Sequence, residues 1–181
     1  MRVALVFLLM FSASVRASCV PSAFVEVAGE YSLPEDIFYA ISLVESGRYV
    51  EGVGFRVWPW ALNIDNRSFY PASEIEARKL ISNALDSGTD KIAVGVMQVY
   101  WKYHKDVFAE HPAFALDVGA NLRAGAKVLR EFVDIGDGVW SAVGYYHAGT
   151  RNERDAKIYI ASVKRVLDKH VKGACHATTI G

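Results

Sequence analysis

Apolar residues recur at helical spacing along most of the chain. Phe24, Val27 and Ala28 share one side of a segment over 22–30, because residues three and four apart lie on one helix face. A second stripe runs Ile37, Ala40, Ile41 and Val44 and then takes in Glu45. Pro34 suits the first turn of that helix, Glu35 and Asp36 complement the positive end of its dipole, and Gly47 ends it. Ser73 and Glu76 make a capping box before Ile75, Leu80, Ile81, Ala84 and Leu85, and Gly88 stops that helix. "IAVGVMQVYWKYH" (92–104) reads as a glycine-led apolar turn entering a helix to about Ala109, broken by His111-Pro112. From Asp117, Val118, Leu122, Gly125, Leu129 and Phe132 repeat until "GDG" at 136–138. "WSAVGYYHAG" predicts a shorter helix up to Gly149, and the last helix holds Tyr159, Val163, Val166 and His170 on one face.

Residues 51–72 break the pattern. "FRVWPWALNIDNRSFYP" is rich in β-branched and aromatic residues, and Asp65-Asn66 stands between two short strand-like runs. A small hairpin or irregular lobe is expected there, forming one wall of a cleft. The resulting expectation is a mainly α single domain with a small β-hairpin lobe.

Composition agrees with a globular chain. Of 181 residues, 52% are hydrophobic and 22% charged, too apolar for disorder and of a size for one core. Twenty basic residues face 20 acidic ones, so nothing points to nucleic acid. The start of the chain reads as an export signal: Arg2, a short apolar run "VALVFLLMF" (3–11), and "VRA" ending at Ala17. The expected division is therefore a signal peptide at 1–17 and a mature domain at 18–181. That run is too short to span a bilayer as a mature helix, and no other stretch is long enough. The expected location is the periplasm or the outside of the cell. Cys19 and Cys175 are the only cysteines and flank the mature domain; in an oxidising compartment they are expected to bridge, the alternative being two free or intermolecular thiols. His104, His111, His147, His170 and His176 show no metal-ligand spacing, so no metal and no cofactor is expected.

Glu45 is the residue that helix packing does not explain. An acid near the negative end of a helix dipole is slightly unfavourable. It either swings to solvent at the helix end or serves as a half-buried acid whose desolvation keeps it protonated near neutral pH, the state a general acid of glycoside cleavage needs. Gln98 offers both a donor and an acceptor to a sugar. Met97 suits a core better than a contact. Tyr146 and Tyr159 are open between core aromatics and cleft residues. Trp58, Trp60, Tyr70, Tyr100 and Trp101 are open between stacking on sugars and packing the lobe. Asp65, Asp86 and Asp90 look like turn or cap residues, not a second catalytic acid.

The order "ES" (45–46), "GVMQ" (95–98), "YYHAG" (145–149) and Tyr159 resembles the lytic transglycosylases with an SLT-type, lysozyme-like domain. "WPWALN" and "GVMQVYWKYH" make it look most like the small exported members associated with conjugation and type IV secretion. The resemblance covers about residues 30–170. It implies a lysozyme-like (α+β) fold, Glu45 as the catalytic acid, and Ser46, Gly95, Met97, Gln98, Tyr146, His147 and Tyr159 around the substrate. Gly95 is expected to let backbone approach the sugar. His147 departs from the family pattern, in which Asn is usual. The implied substrate is the peptidoglycan glycan strand, cut between N-acetylmuramic acid and N-acetylglucosamine to leave a 1,6-anhydro end, and the implied partner is an envelope-spanning machine. A lysozyme-type hydrolase on the same fold and a non-catalytic wall-binding module are the alternatives; a metal hydrolase is disfavoured by the histidine spacing.

Overall fold

A computed structural model describes residues 20–108 and 111–173. The expected signal segment at 1–17 and both cysteines, Cys19 and Cys175, lie outside the described residues. The described chain begins with α1 (Ser22–Glu30), whose buried side is Phe24, Val27 and Ala28, as the spacing predicts. α2 (Glu35–Ser46) follows. It is more than one-sided: Ile37 to Leu43 are all buried, and Phe38, Ala40 and Ile41 have no exposed surface. Such a helix runs through the core and is not laid on it. Burying Phe38 and Ile41 contributes about 1.5–3 kcal/mol each.

Gly47 ends α2 without the left-handed cap the sequence suggests. It is extended (φ −66°) and passes straight into β1 (Gly47–Val50), which pairs antiparallel with β2 (Gly54–Val57). A second sheet runs in the order β4, β3, β5, β6: β3 (Leu62–Ile64), β4 (Arg67–Phe69), β5 (Ile92–Val94) and β6 (Val99–Tyr100). The β3–β4 hairpin turns on Asp65 (φ 49°) and Asn66 (φ 62°). Two left-handed residues in a two-residue loop match the strand twist, and Asp and Asn tolerate that conformation.

α3 (Glu74–Asp86) opens on the expected capping box. Ser73 Oγ accepts from the Glu76 N–H at 3.3 Å, while Glu76 Oε2 accepts from the Ala72 N–H at 2.7 Å. Its buried side is Ala77, Ile81 and Ala84. Ile75, expected among the apolar positions, is 81% exposed, because it sits in the first turn off that stripe.

The helix expected after the glycine-led turn, to about Ala109, is absent from its described part. Gly95 (φ 80°) and Gln98 (φ 47°) reverse the chain between β5 and β6, and 3₁₀ turns follow at Trp101–Tyr103 and Lys105–Phe108. The β-branched Val94 and Val99 pair across the reversal, so the apolar run has the period of strands and not of a helix. His111-Pro112 therefore breaks nothing; the His111 ring accepts from the Ala113 N–H at 3.1 Å and starts a 3₁₀ turn, Pro112–Leu116.

α4 (Val118–Ile135) is capped by Asp117, which accepts from the Ala120 N–H at 2.7 Å. α5 (Val139–Ala148) and α6 (Glu153–Val166) complete the bundle, and a π-helical turn, Leu167–Lys172, extends α6. α5 packs between α4 and α6, and α2 lies against α1 and α6. The result is the mainly α domain with a small β lobe that the sequence predicts.

Candidate active site

Three helices and one turn converge on Glu45. It stands in the last turn of α2, where the buried stripe meets the surface, and its side chain is 15% exposed. The Tyr159 hydroxyl, from α6, donates to Glu45 Oε1 at 2.5 Å. Burial pushes the Glu45 carboxyl up to about 7 from the ordinary 4.5, and the Tyr159 hydrogen bond acts the other way. Among the described residues no second carboxylate contributes to that shift. With Tyr159 donating to Oε1, Oε2 is left to carry the proton. Tyr159 and Tyr146 are themselves held well above the ordinary phenol range, first by burial and then by the charge of Glu45, so both remain hydrogen-bond donors at neutral pH.

His147, from α5, lies flat on the Tyr159 ring, with centroids 4.5 Å apart and planes 3° from parallel. Its Nδ1 is 3.9 Å from Glu45 Oε1, just beyond hydrogen-bond range. The stack requires α5 and α6 to approach closely. Gly144 allows it: a Cβ there would sit 2.9 Å from Ala156 Cβ.

Gln98 shapes the turn opposite. Its left-handed backbone (φ 47°) is unusual for a residue with a side chain. It is held by its own amide, whose Nε2 donates to the Ala61 carbonyl at 3.0 Å and to that of Gly95 at 2.9 Å. Both of its donors are used internally, so Oε1 is the atom it can offer to a ligand. The Tyr146 hydroxyl donates to the Met97 carbonyl at 2.7 Å and ties α5 to the same turn.

Three expected contact residues are buried supports. Ser46 has no exposed surface and its hydroxyl meets the carbonyls of Ser42 (3.0 Å) and Val96 (2.9 Å), pinning α2 to the turn. Met97 is fully buried in the core. Gly95 has an internal reason to be glycine: a Cβ would meet the Asn121 amide at 2.5–2.8 Å. Asn121 itself went unnoticed from the sequence. It is fully buried, accepts from the Met97 N–H at 2.8 Å and donates to Val94 (2.8 Å) and Ala115 (3.0 Å) carbonyls. Every polar atom is satisfied, as burial demands. The available signal was a polar residue four before Gly125, on the packing side of α4.

Glu45 and His147 stand where two cavities meet. The larger, about 670 Å³, runs over Asn63, Asn66, Gln98, Tyr100, Tyr103, Glu131, Tyr145 and Tyr146. The smaller, about 280 Å³, is lined by Val44, Asp155, Ile158, Tyr159 and Ser162. The hairpin thus supplies the cleft wall expected of 51–72 through Asn63 and Asn66. Trp58 and Trp60 pack edge to face at 6.0 Å and, with Tyr70, line neither cavity. Tyr100 does line the cleft, whereas Trp101 is buried with Lys105 4.6 Å over its ring. Asp90 pairs with Lys102 at 3.2 Å. Glu131 and Asp155 line the cavities, and Asp155 is engaged in capping α6 with Asn152.

A cleft open on both sides of a protonated carboxyl, with amides and phenols along it, suits a linear sugar polymer passing through. Among the described residues no group of His, Cys, Asp and Glu could hold a metal ion. No curated protein and no solved structure matches the chain. The transglycosylase SLT domain model matches residues 22–166, which spans every site residue above, and the chain belongs to that family.

Proposed function

We propose that the protein is a peptidoglycan lytic transglycosylase that cleaves between N-acetylmuramic acid and N-acetylglucosamine. The observation that carries the reading is Glu45: a desolvated carboxyl with a pKa near 7, hydrogen-bonded to a tyrosine and, among the described residues, influenced by no second acid. Most glycosidases need two carboxylates, one of them ionised. A single acid suits a reaction in which the substrate supplies the nucleophile. Glu45 gives its proton to the glycosidic oxygen as the C1–O bond breaks, with the neighbouring N-acetyl group assisting at C1. The C6 hydroxyl then bonds to C1 and returns its proton to Glu45. The acid is restored, a 1,6-anhydro ring closes and no water is consumed. A pKa near the working pH serves both half-reactions.

Gln98 and His147 border the scissile region, with Tyr146 fixing the Gln98 turn from behind. Export to the periplasm is supported by Arg2, the apolar run at 3–11 and Ala17, and a Cys19–Cys175 bridge is the expected consequence. Local opening of the wall for a secretion or conjugation machine is supported by the resemblance of "WPWALN" and "GVMQVYWKYH" to the members that serve such machines. The test is the mass of the fragments released from purified sacculi. Anhydro ends, one water lighter than reducing ends, are expected; reducing ends would make the protein a lysozyme-type hydrolase, and no release would leave a wall-binding module.

A further inference from the structure

Arg48 stands in β1, three residues after Glu45. Its guanidinium lies 4.6 Å from the Trp58 ring centroid and 5.4 Å from that of Tyr70. Trp58 is fixed at two points: its indole N–H donates to the Pro71 carbonyl at 2.7 Å and its backbone N–H to that of Ser46 at 3.1 Å. The shelf is therefore rigid, and tied to the end of the helix that carries Glu45. Directly across the ribbon, on the same face, stands Arg56. Like charges opposite one another in a hairpin are unfavourable. Among the described residues neither arginine has an acid partner, and Arg48 makes no side-chain hydrogen bond. Arg56 lies beside the Tyr39 hydroxyl instead.

A guanidinium held over aromatic rings keeps its fork of N–H donors pre-organised. Left without a carboxylate, and beside a second cation, the fork matches an incoming one. We propose that Arg48, on its Trp58–Tyr70 shelf, binds a free carboxylate of the peptide stem carried by the glycan strand. This rests on the reading of Glu45 as the acid that acts on peptidoglycan. The chain from Glu45 to Arg48 spans at most about 11 Å, and the lactyl group with a two-residue stem, about three units in all, reaches about as far. Stem carboxylates are the anions that the muramic acid next to Glu45 brings within that distance.

The experiment is binding, which does not depend on turnover. The probes are N-acetylmuramyl-Ala-γ-Glu as the free acid, the same molecule with its Glu carboxylates amidated, and N-acetylmuramic acid alone, whose lactyl carboxylate is the other source of charge. The Trp58 indole N–H resonance of the full chain reports occupancy. The free acid should bind about tenfold or more tightly than the amide, and Arg48→Gln should erase the difference. Arg48→Lys keeps the charge without the fork and should retain only part of it, which covers the case of a poorly folded Arg48→Gln. Equal affinity for acid and amide, an unchanged ratio in both variants, or equally tight binding of N-acetylmuramic acid alone each overturns the proposal. If the stem fragment binds through Arg48 but sacculi are not cut, the lyase reading fails and the stem site stands. If wild type cuts sacculi but binds acid and amide alike, the stem site fails and the lyase reading stands.

Discussion

Glu45 places opposite demands on stability and activity, and both are measurable. A carboxyl whose folded pKa is near 7 and whose unfolded value is near 4.5 binds more protons folded than unfolded between those pH values. Stability therefore falls as pH rises from about 4.5 to about 7. Above pH 7 the accumulated cost is on the order of 3 kcal/mol. Glu45→Gln removes the titration, so the variant should match wild type at pH 4 and melt several degrees higher at pH 8. Its turnover of sacculi should fall by 10⁴-fold or more, since in the proposed mechanism one group performs both proton transfers. A variant that retained turnover, or that lost stability at pH 8, would contradict the role given to this side chain. Tyr159→Phe tests the neighbouring hydroxyl. The Tyr159 hydrogen bond lowers the Glu45 pKa, so its loss should raise it. The alkaline limb of the pH–rate profile should move to higher pH, with lower turnover throughout because Oε1 loses its fixed donor. A limb that moved to lower pH would mean Tyr159 stabilises the protonated acid instead.

At the scale of elements, the contact between α5 and α6 sets the geometry of the site. Gly144 faces Ala156, and an added methyl group would approach its Cβ to 2.9 Å. Gly144→Ala should force the helices apart at a cost of about 1–3 kcal/mol. Because the same two helices carry His147 and Tyr159, turnover should fall further than the melting temperature alone explains. Unchanged turnover in a destabilised variant would show that the stack on Tyr159 does not position Glu45. Amphipathic elements such as α1 and α4, and the Asp65-Asn66 hairpin, were readable from the chain because their cause is local: periodicity, caps and turn chemistry. A glycine-led turn at Gly95 was readable too, but not that it reverses the chain between two strands. The left-handed Gln98 is held by the Ala61 carbonyl 37 residues away, and no local signal reports such a bond. Glu45, Gln98, Tyr146, His147 and Tyr159 were legible as a constellation through order and family likeness. Met97 was legible as core from its own chemistry, whereas Ser46 and Gly95 were legible as important but not as buried supports, since a motif does not say which way a side chain points. Asn121, fully satisfied inside the core, was missed because its partners are backbone atoms brought there by the fold.

For the whole molecule, the ends decide what holds the domain closed. Val20 and Val171 are both buried in the core, so the chain is docked just inside each cysteine position. A bridge from Cys19 to Cys175 would close a loop around nearly the entire domain. In the chain-entropy model such a loop stabilises by about 5 kcal/mol, an upper figure because strain in the folded state subtracts from it. For a domain of this size that corresponds to roughly 10–20 °C in melting temperature. Protein collected from the periplasm should yield one peptide containing both cysteines when digested without reductant. Cys19→Ser with Cys175→Ser should then melt lower by most of that interval, at every pH. The pH independence separates this effect from the Glu45 titration, which acts only above about pH 4.5. Recovery of two free thiols from unreduced periplasmic protein, or a double variant that melts with wild type, would show that the ends are held in place without a bridge.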